Sequence, residues 1–537
     1  MPHILVADKI AGRGLERLRE TPQVTFDVRH GLGPDELAAA IRDYEGMLIR
    51  SAVKVTADVL KEPGKLVAIA RAGVGVDNVD LDAATAAGVL VLNTPDANTI
   101  STAEHTIAMI LALHRRIPEA HAHVTAGQWK RSALLGDQVA GKTLGIVGFG
   151  RIGRAVARRA LALEMKVVAY DPFVTQETAL DGAVTLVADL KELLAASDCV
   201  TLHTSLTDET RHLIGTEQLA AMRPGAKLIN CARGALIDEN AVAEALHGER
   251  LGGAAIDVYA DEPPTGSPLL TAPRVVLTPH LAASTAEAQS QVSVDAVDAL
   301  TAYLLRGEIR SAVNVAGLPA ALSPRGRAFV DLCGRLGAML APWFAGGVER
   351  IAVTTHGDTL QELGVTLAWQ SMVTLLCPHL DERLNVVNAR DHARRRGITV
   401  EHATRSLQPD IPESVLLTVQ SQSESHCVEG TVFADGKPRV LSIDGYRMEI
   451  VPERTVVLIF NDDRPGVIGL VGQKFGETGI NIADMALSRR AGTALMLLKL
   501  DAPMPGELRD ALRNANPPIL SVVTASLPPA ADGPNTP

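Results

Sequence analysis

A glycine-rich turn between a predicted strand and a predicted helix constrains the fold of this chain more than any other stretch. Residues 143–147 are mostly β-branched or aliphatic and carry no charge, which predicts a short buried strand. Gly148, Gly150 and Gly153 follow in G-x-G-x-x-G spacing, and the alanine-rich run behind them predicts a helix. Glycines at these positions permit a tight turn, a close approach to a pyrophosphate and close packing of helix on strand. The stretch therefore predicts a dinucleotide site at the start of a helix.

The next predicted strand ends in an acid that selects the cofactor. Residues 166–170, Lys-Val-Val-Ala-Tyr, predict this strand, and Asp171 follows where a carboxylate can meet the adenosine ribose hydroxyls. A carboxylate would repel a 2′-phosphate, so the sequence predicts NAD rather than NADP. Arg151 and Ile152, between the second and third glycine of the turn, complete the predicted cofactor-binding set.

Length, charge and cysteine usage limit the classes of function. At 537 residues the chain is too long for one core, and about three or four domains are expected. The net charge of −11 disfavours nucleic-acid binding, so an anionic substrate needs a local cluster of arginine and lysine. No apolar stretch approaches the ~20 residues of a membrane span. The five cysteines form no C-x-x-C pair, which predicts reduced thiols and a cytoplasmic location.

The first 97 residues alternate predicted strands and helices, a pattern typical of an α/β domain with a parallel sheet. Arg50 and the loop beginning at Arg71 come where predicted strands end. Ligands of open α/β sheets bind outside the carboxyl ends of strands, so both arginines are candidate anion binders. The alternative is that they are ordinary solvated surface side chains.

The nucleotide domain appears as an insertion in this first domain. Residues 98–117 predict a long helix that crosses into the nucleotide domain, with Ser101 or Thr102 as its N-cap. Residues 283–305 carry apolar side chains at helical spacing and could return to the first domain. The expected boundaries are 1–97 with 283–315 for the discontinuous substrate domain and 98–282 for the NAD-binding domain.

The rest of the chain predicts two smaller domains after a linker with turn signals at 317–324. Residues 455–525 predict the βαββαβ order of a ferredoxin-like domain. The region before it is irregular, with candidate strands at 350–354, 414–420, 428–433 and 446–451. The expected boundaries are 316–452, 453–527 and a disordered tail, 528–537, rich in proline, alanine and glycine.

Three segments that follow predicted strands carry the polar residues needed by a dehydrogenase. Arg233, Glu262 and His280 could converge on one cleft beside the nicotinamide. Oxidation of a hydroxyl by hydride transfer requires removal of its proton, which histidine commonly performs, and a neighbouring carboxylate can orient the imidazole. A guanidinium can bind a carboxylate in a fork. Taken singly, each segment has the alternative of a loop histidine or a surface ion pair.

These segments, together with the glycine turn, resemble the D-isomer-specific 2-hydroxyacid dehydrogenases over residues 1 to about 315. The resemblance implies that Arg233 binds the substrate carboxylate, that Glu262 supports the histidine and that His280 is the general acid–base. It also implies that Asp257 faces the carboxamide of the nicotinamide.

Within this family the chain is similar to the long phosphoglycerate dehydrogenase branch. The stretches that carry this similarity are Arg50-Ser51, the loop at 71–78, Asn98, and the C-terminal motifs at 463–469 and 479–482. That similarity implies a Rossmann-type nucleotide domain inserted in a flavodoxin-like substrate domain, followed by an α+β intervening domain and a ferredoxin-like ACT domain. It implies NAD-dependent oxidation of 3-phospho-D-glycerate to 3-phosphohydroxypyruvate, the first step of serine synthesis. The substrate-binding residues that it implies are Arg50, Ser51, Arg71, Gly73, Val74, Gly75 and Asn98.

Two further sites rest on the same resemblance. Lys130 and Arg131 would reach toward the substrate phosphate of a neighbouring subunit in a homodimer or homotetramer, the alternative being a solvated charge pair. Asp463 and Asn481 match a serine effector site of ACT domains. Asn461 departs from the pattern, since family members that respond to serine often carry a ring side chain there.

A basic turn lies in the least regular region. Gly436 and Pro438 predict a turn, and Lys437 and Arg439 share a face of an extended chain. With Arg447 they could form a second phosphate site that mediates substrate inhibition. The alternative is a solvated hairpin edge, where lysine protects against aggregation.

Two other functions remain open at this point. Another D-2-hydroxyacid dehydrogenase, of glyoxylate, lactate or phosphonate type, would share every motif to residue 315. An NADH-sensing corepressor of the C-terminal-binding-protein type has the same fold. A metal site is not predicted, since His114, His121 and His123 have no carboxylate or cysteine to complete a ligand set.

Overall fold

The computed structural model describes residues 1–174, 182–315, 322–406, 413–515 and 519–527. The described residues form four sheets in succession along the chain. The tail predicted to be disordered and part of the predicted linker lie outside the described residues.

The first sheet is fully parallel, with the order β2-β1-β3-β4-β5. Its strands are β1 (His3–Val6), β2 (Thr25–Val28), β3 (Gly46–Ile49), β4 (Ala68–Arg71) and β5 (Leu90–Leu92). The connecting helices are α1 (Gly12–Arg19), α2 (Pro34–Ala40), α3 (Ala57–Leu60) and α4 (Leu81–Ala86). β3 and β5 are buried along their whole length, as expected for parallel strands covered on both faces. The strand order is flavodoxin-like, which confirms the predicted fold of this region.

The second sheet is also fully parallel and has seven strands, in the order β12-β11-β10-β9-β6-β7-β8. They are β6 (Thr143–Val147), β7 (Lys166–Tyr170), β8 (Thr185–Leu186), β9 (Cys199–Leu202), β10 (Lys227–Asn230), β11 (Gly253–Ile256) and β12 (Val275–Leu277). Its helices are α5 (Thr99–His114), α6 (Ile117–Thr125), α7 (Arg151–Ala162), α8 (Leu190–Ala196), α9 (Thr216–Ala221) and α10 (Glu239–His247). The order reverses between β6 and β9, and dinucleotides bind at such a switch point in Rossmann folds.

The long helix predicted for residues 98–117 corresponds to α5, which ends three residues earlier, and its predicted N-cap is wrong. α5 begins at Thr99 with Asn98 in the N-cap position, so Ser101 and Thr102 lie inside its first turn. The break after α5 coincides with Arg116, which has a φ of 52°, and with Pro118 in the first turn of α6. Proline removes a helical N–H and clashes with the preceding turn, so a continuous helix ends before it.

The helix α11 (Ala286–Arg306) returns the chain to the first sheet. Its buried side chains Val292, Val297 and Leu300 pack in one apolar cluster with Ile4 and Leu90 of that sheet. The helix therefore covers one face of the first sheet although it follows the second sheet in sequence.

The third sheet is mixed, with the order β14-β13-β15-β16-β17-β18. The strands are β13 (Arg350–His356), β14 (Thr399–Arg405), β15 (Ser414–Gln420), β16 (Ser425–Val432), β17 (Pro438–Ile443) and β18 (Tyr446–Ile450). Three helices belong to this region: α12 (Pro324–Leu340), α13 (Gly364–Leu376) and α14 (Ala389–Arg396). β13 and β14 run parallel, and the other neighbouring pairs are antiparallel. The four candidate strands correspond to β13, β15, β16 and β18, whereas the sequence patterns do not indicate the helices.

The fourth sheet is antiparallel, with the order β20-β21-β19-β22. Its elements are β19 (Arg454–Asp462), α15 (Val467–Thr478), β20 (Ile482–Arg490), β21 (Thr493–Leu500), α16 (Gly506–Arg513) and β22 (Ile519–Leu527). The predicted ferredoxin-like order is confirmed. This sheet shares a hydrophobic core with the third region, where Leu458 and Leu497 pack with Leu336 and Phe344.

The loop before α14 connects the two halves of the chain. Arg383 donates from Nη1 to the carbonyl oxygen of Leu66 at 2.7 Å, and Asn385 donates from Nδ2 to that of Gly88 at 2.8 Å. Val387 packs into the cluster beneath α11.

Over the described ranges, no helix combines the length and apolar character required to cross a bilayer.

Candidate active site

One cavity of about 410 Å³ collects the predicted substrate-binding and catalytic residues. It lies between the loops at the carboxyl ends of β3 and β4 and the loops that follow β10, β11 and β12 of the second sheet. The predicted residues that line it are Arg50, Ser51, Arg71, Gly73, Val74, Gly75, Asn98, Arg233, Glu262 and His280. Residues up to 230 positions apart in sequence thus meet because parallel strands present their carboxyl ends at one edge.

The imidazole of His280 is paired with the carboxylate of Glu262. Nδ1 of His280 lies 2.9 and 3.0 Å from the two carboxylate oxygens, so Nδ1–H donates to Glu262 and Nε2 is the remaining basic nitrogen. Both side chains are about half exposed, at 50% and 41%. A group on the cavity side can therefore exchange a proton with Nε2 while the carboxylate stabilises the imidazolium.

The backbone of His280 is held in the left-handed region, with a φ of 55°. Its N–H donates to the carbonyl oxygens of Asp257 at 2.9 Å and Thr278 at 3.1 Å. A non-glycine residue in this conformation is uncommon and is kept there by its surroundings. The turn therefore fixes the position of the imidazole independently of the Glu262 pair.

Asp257 lies beneath this turn. Its side chain is fully buried and accepts hydrogen bonds from Thr278 Oγ1 at 2.6 Å and from the N–H groups of Leu281 and Ala282 at 2.7 and 2.9 Å. His105 Nε2, from α5, lies 3.2 Å from the same carboxylate. Burial acts to raise the pKa of Asp257, but these hydrogen bonds outweigh it and lower the pKa overall.

Asp257 thus has its oxygens occupied and does not line the cavity of His280. Its predicted contact with the nicotinamide carboxamide stays a prediction. His105 and Thr278 are residues of this arrangement that the sequence patterns did not indicate. Both contact the buried carboxylate of Asp257, and His105 does so from α5, far away in sequence.

Three guanidinium groups surround the cavity with little counter-charge. Burial, together with the charges of Arg233 and Arg50, lowers the pKa of Arg71. The Nε atom of Arg71 is buried without a hydrogen-bond partner within the described ranges. Arg233 Nε lies 3.4 Å from the exposed carboxylate of Asp77. Like charges held together in this way favour an anionic ligand that pairs with them.

Two glycines make room for these arginines. A Cβ on Gly73 would overlap with Nη1 of Arg71, and a Cβ on Gly75 would overlap with Nη2 of Arg233. Gly73 also has a φ of 148°, which side chains other than glycine rarely adopt. The loop can therefore pass close to both guanidinium groups only because these positions lack side chains.

The glycine turn at the start of α7 fits a dinucleotide. Gly148 has a φ of 91°, and a Cβ there would approach the carbonyl oxygen of His203 to 2.6 Å. A Cβ on Gly153 would overlap with the backbone of Gly148, whereas one on Gly150 would meet nothing within 4 Å. The first and third glycines are thus needed for packing. The second leaves open space at the helix N-terminus, where a pyrophosphate binds.

A second cavity of about 470 Å³ continues from this turn toward Arg233 and includes the predicted residues Arg151 and Ile152. Asp171 ends β7 and accepts hydrogen bonds from the N–H of Phe149 at 2.8 Å and that of Phe173 at 2.9 Å. The carboxylate is therefore held beside the glycine turn, where the ribose of the adenosine would lie.

His203 also lines the second cavity, and the sequence patterns did not single it out. It follows β9, the neighbour of β6 at the switch point. The rule that ligands bind at this point could have found it. Burial lowers the pKa of His203 to about 3, so the ring is neutral. Its Nε2 contacts Thr201 Oγ1 at 3.0 Å, and its Nδ1 is buried without a partner in the described part of the chain.

Lys130 and Arg131 lie outside both cavities. They occupy an exposed segment after α6, beside Trp129 and Leu135, which are 77% and 84% exposed. Within one chain the structure does not bring them to the substrate cavity.

Asp463 and Asn481 are also apart within one chain. Asp463 follows β19 and pairs with Arg489 at 2.7 Å, whereas Asn481 precedes β20 and donates to Asp501 at 2.7 Å. The strand registers put the two residues at opposite ends of the sheet, roughly 30 Å apart along the strands at about 3.3 Å per residue. They cannot bind one small ligand together unless two chains contribute. Asn461 is buried, and its Nδ2 donates to the Asp462 carbonyl at 2.6 Å.

The basic turn forms as expected, but one of its cations already has partners. Gly436 has a φ of 76°, and β17 begins at Pro438. Arg439 lies 3.1 Å from Asp435 and 3.8 Å from Glu449, over the ring of Phe433. Lys437 and Arg447 are exposed.

In the described ranges, no cluster of three or more His, Cys, Asp or Glu side chains is arranged to hold a metal ion.

Three family models match the chain. Residues 107–282 match the NAD binding domain of D-isomer specific 2-hydroxyacid dehydrogenases. Residues 326–444 match the D-3-phosphoglycerate dehydrogenase intervening domain, and residues 455–516 match the ACT domain.

Curated relatives match nearly the whole chain. A D-3-phosphoglycerate dehydrogenase of Synechocystis sp. is 39% identical over 95% of this chain and 92% of the relative. Proteins of the same name from Methanocaldococcus jannaschii and Bacillus subtilis are 38% and 36% identical, over 96% and 98% of this chain and 98% and 100% of their own lengths.

Solved structures match the first half. The TT0316 protein of Thermus thermophilus is 40% identical with a TM-score of 0.52, over 56% of this chain and 96% of that one. A glyoxylate reductase of Paecilomyes thermophila is 31% identical with a TM-score of 0.54, over 58% of this chain and 97% of that one.

Proposed function

The chain belongs to the D-3-phosphoglycerate dehydrogenase family, and from this premise we propose how its residues carry out the reaction. It is an NAD-dependent oxidoreductase that converts 3-phospho-D-glycerate to 3-phosphohydroxypyruvate in serine biosynthesis. The observation that carries the proposed residue roles is the convergence of three arginines and the His280–Glu262 pair on one cavity of about 410 Å³.

His280 is the general base of the oxidation. Nε2 takes the proton of the C2 hydroxyl as the carbonyl forms, and Glu262 stabilises the resulting imidazolium through Nδ1. Bound NAD supplies the acceptor for the hydride that leaves the same carbon. In the reverse direction the protonated His280 returns its proton to the carbonyl oxygen.

The arginines bind the two anionic ends of the substrate. Arg233 forms a fork with the carboxylate and keeps C2 beside His280. Arg50 and Arg71, from the first sheet, bind the phosphate. Pairing with the substrate offsets both the burial and the neighbouring positive charge that lower the pKa of Arg71 in the free enzyme. The same contacts should favour a phosphorylated acid over hydroxy acids that lack the phosphate.

The first half consists of a substrate domain, 1–97 with 283–315, and an NAD-binding domain, 98–282. The packing of α11 on the first sheet supports this division, since it closes the core of the first unit. The cavity then lies between two units that can move relative to each other. We place the remaining boundaries at 316–452 and 453–527.

The enzyme is a homodimer or homotetramer in which Lys130 and Arg131 act on a neighbouring subunit. Support comes from the apolar side chains exposed around these cations: Ile117, Val124, Trp129 and Leu135. Several large apolar side chains exposed within one segment of about 20 residues favour an interaction site there. The separation of Asp463 from Asn481 likewise supports a serine site formed by two chains.

Absorbance of NADH with a panel of acids tests the assignment of substrate. 3-Phospho-D-glycerate, D-glycerate and D-lactate should be compared at equal concentration. We expect kcat/KM to be highest for the phosphorylated acid. Equal values for D-glycerate would contradict the roles given to Arg50 and Arg71.

A further inference from the structure

A cavity of about 830 Å³ lies where the two halves of the chain meet. α4 and residues 313–315 form one wall, and α13 and α14 form the other. None of its residues lines the substrate cavity, but Val313 also lines the cofactor cavity. The space is therefore separate from the substrate cavity and adjoins the second cavity only at Val313.

The wall formed by α14 is basic. Arg390, Arg394 and Arg395 line the cavity, and Asp391 and Asp82 are the acids that face them. Arg394 pairs with Asp391 at 2.9 Å. Arg390 and Arg395 form no ion pair or hydrogen bond within the described residues. Two guanidinium groups with free donors thus face this cavity in a chain whose net charge is −11.

The dipole of α14 explains the presence of only some of these arginines. Cations in the last turn of a helix are favoured by its dipole, which explains Arg394 and Arg395 without a ligand. Arg390 is in the first turn, where the dipole opposes a cation and where Asp391 is the favoured type of residue. Arg390 lines the cavity without a partner in the described part of the chain, so the helix dipole does not explain why an arginine is present at this position.

An aromatic side chain completes the cavity. Trp369 of α13 is partly exposed there, and its indole N–H has no hydrogen-bond partner in the described ranges. Trp129 and Trp343 do not line this space. A flat ring beside guanidinium groups provides a stacking surface as well as anion donors.

We propose that this cavity binds a small phosphate monoester, with Arg390 and Arg395 contacting the phosphate oxygens and Trp369 contacting the remainder of the ligand. Arginine forks match the geometry of phosphate oxygens. Since residues from both halves form the walls, a bound ligand would connect the intervening region to the substrate domain. Three candidate ligands carry such a phosphate group: inorganic phosphate, the substrate and a nucleotide monophosphate. They differ in the group that could contact the ring of Trp369.

Tryptophan fluorescence of the full-length protein tests the site by binding rather than by turnover, so a failure here is distinguishable from a failure of the proposed activity. Inorganic phosphate, 3-phospho-D-glycerate and AMP are titrated separately at constant ionic strength. We expect at least one to give a saturable change that is lost in Trp369→Phe. If only phosphate gives a saturable change, the ligand is the free ion. If only AMP does so, the ligand carries a ring as well as a phosphate.

The double variant Arg390→Gln/Arg395→Gln should weaken that binding by at least about tenfold, since two charge-assisted contacts are lost. Arg396→Gln is the matched control. It lies on the same helix, is exposed, pairs with Glu382 at 2.7 Å and does not line the cavity. All these side chains are exposed, so folding is not at risk, and equal thermal midpoints confirm this. Linear titrations with all three ligands, or equal affinities in the double variant and wild type, would overturn the proposal.

Discussion

The two halves of the chain place their charged side chains differently. In residues 1–315, parallel sheets direct loops to one edge, and Arg50 and Arg71 reach a cavity without a carboxylate partner among the described residues. In residues 322–527 the sheets are mostly antiparallel, and the strand cations Arg439 and Arg489 are paired with acids. Arg390 and Arg395, unpaired among the described residues of this half, lie on a helix. Parallel topology thus gathers unpaired charge at one edge of the sheets, whereas Arg439 and Arg489 on the antiparallel strands are neutralised by neighbouring acids. Substitutions in either half should therefore differ in how strongly they affect the reaction.

The largest effect is expected from His280→Asn in the first half. The variant cannot remove the hydroxyl proton, so kcat should fall by about 10²–10⁴-fold while NAD binding is retained. Initial rates of NADH formation and a fluorescence titration with NADH measure the two quantities. A variant that keeps more than about a tenth of the wild-type kcat would disprove the assignment.

A smaller effect is expected from Arg71→Gln, which removes one of the unpaired cations. Loss of a charge-assisted contact of about 1.5–3 kcal/mol should lower kcat/KM for 3-phospho-D-glycerate by roughly 10–100-fold. The ratio of kcat/KM for 3-phospho-D-glycerate over D-glycerate should fall with it. Arg17→Gln is the control, because that arginine of the same half is paired with Asp298 at 2.6 Å. If both variants lose the same activity, Arg71 has no special role.

Asp171→Asn should change cofactor preference. The amide oxygen can still accept from Phe149 N–H, so the substitution removes charge and keeps the turn. Without repulsion of the 2′-phosphate, the preference for NAD over NADP should narrow by about tenfold, or about 1.4 kcal/mol. The ratio of kcat/KM values for the two cofactors is the measurement. An unchanged ratio means that another residue contacts the ribose.

The smallest effect is expected from Lys437→Ala/Arg439→Ala in the second half. Neither side chain lines the substrate cavity or the second cavity, and Arg439 is already paired with Asp435, so the rate at low substrate should change by less than about threefold. If the basic turn is a second phosphate site, inhibition at high substrate should be relieved. Saturation curves that overlay those of the wild type would leave the turn with a surface role only.

The same contrast decides how much could be predicted from sequence. Buried parallel strands are mostly apolar runs, so the inner strands of the first two sheets and the residues after them could be recognised. The largely exposed edge strand β2 and the two-residue strand β8 carry no such run and could not. α12 was missed because it contains Gly326, Gly334 and Gly337, which disfavour a helix by propensity. A Cβ on Gly337 would overlap with the carbonyl of Ser371 in α13, so close helix packing is the reason for glycine.

The parts of the sites that escaped prediction depend on contacts between distant elements. The bond between His105 and Asp257 joins α5 to the turn of His280, and no local pattern indicates it. The cavity with Trp369 forms only when α14 meets α4. Residue types can suggest a role for Asp463 and Asn481, but only the strand register shows that they lie at opposite ends of one sheet.

The core shared by the third and fourth sheets determines where such a chain can be divided. Leu458 and Leu497 pack with Leu336 of α12, and Arg335 of the same helix donates to the carbonyl of Pro452 at 3.0 Å. A truncation after residue 452 would expose the apolar face of α12 to water and favour aggregation. Residues 322–527 are therefore the module that could be inherited, grafted or deleted as one piece, whereas either sheet alone could not.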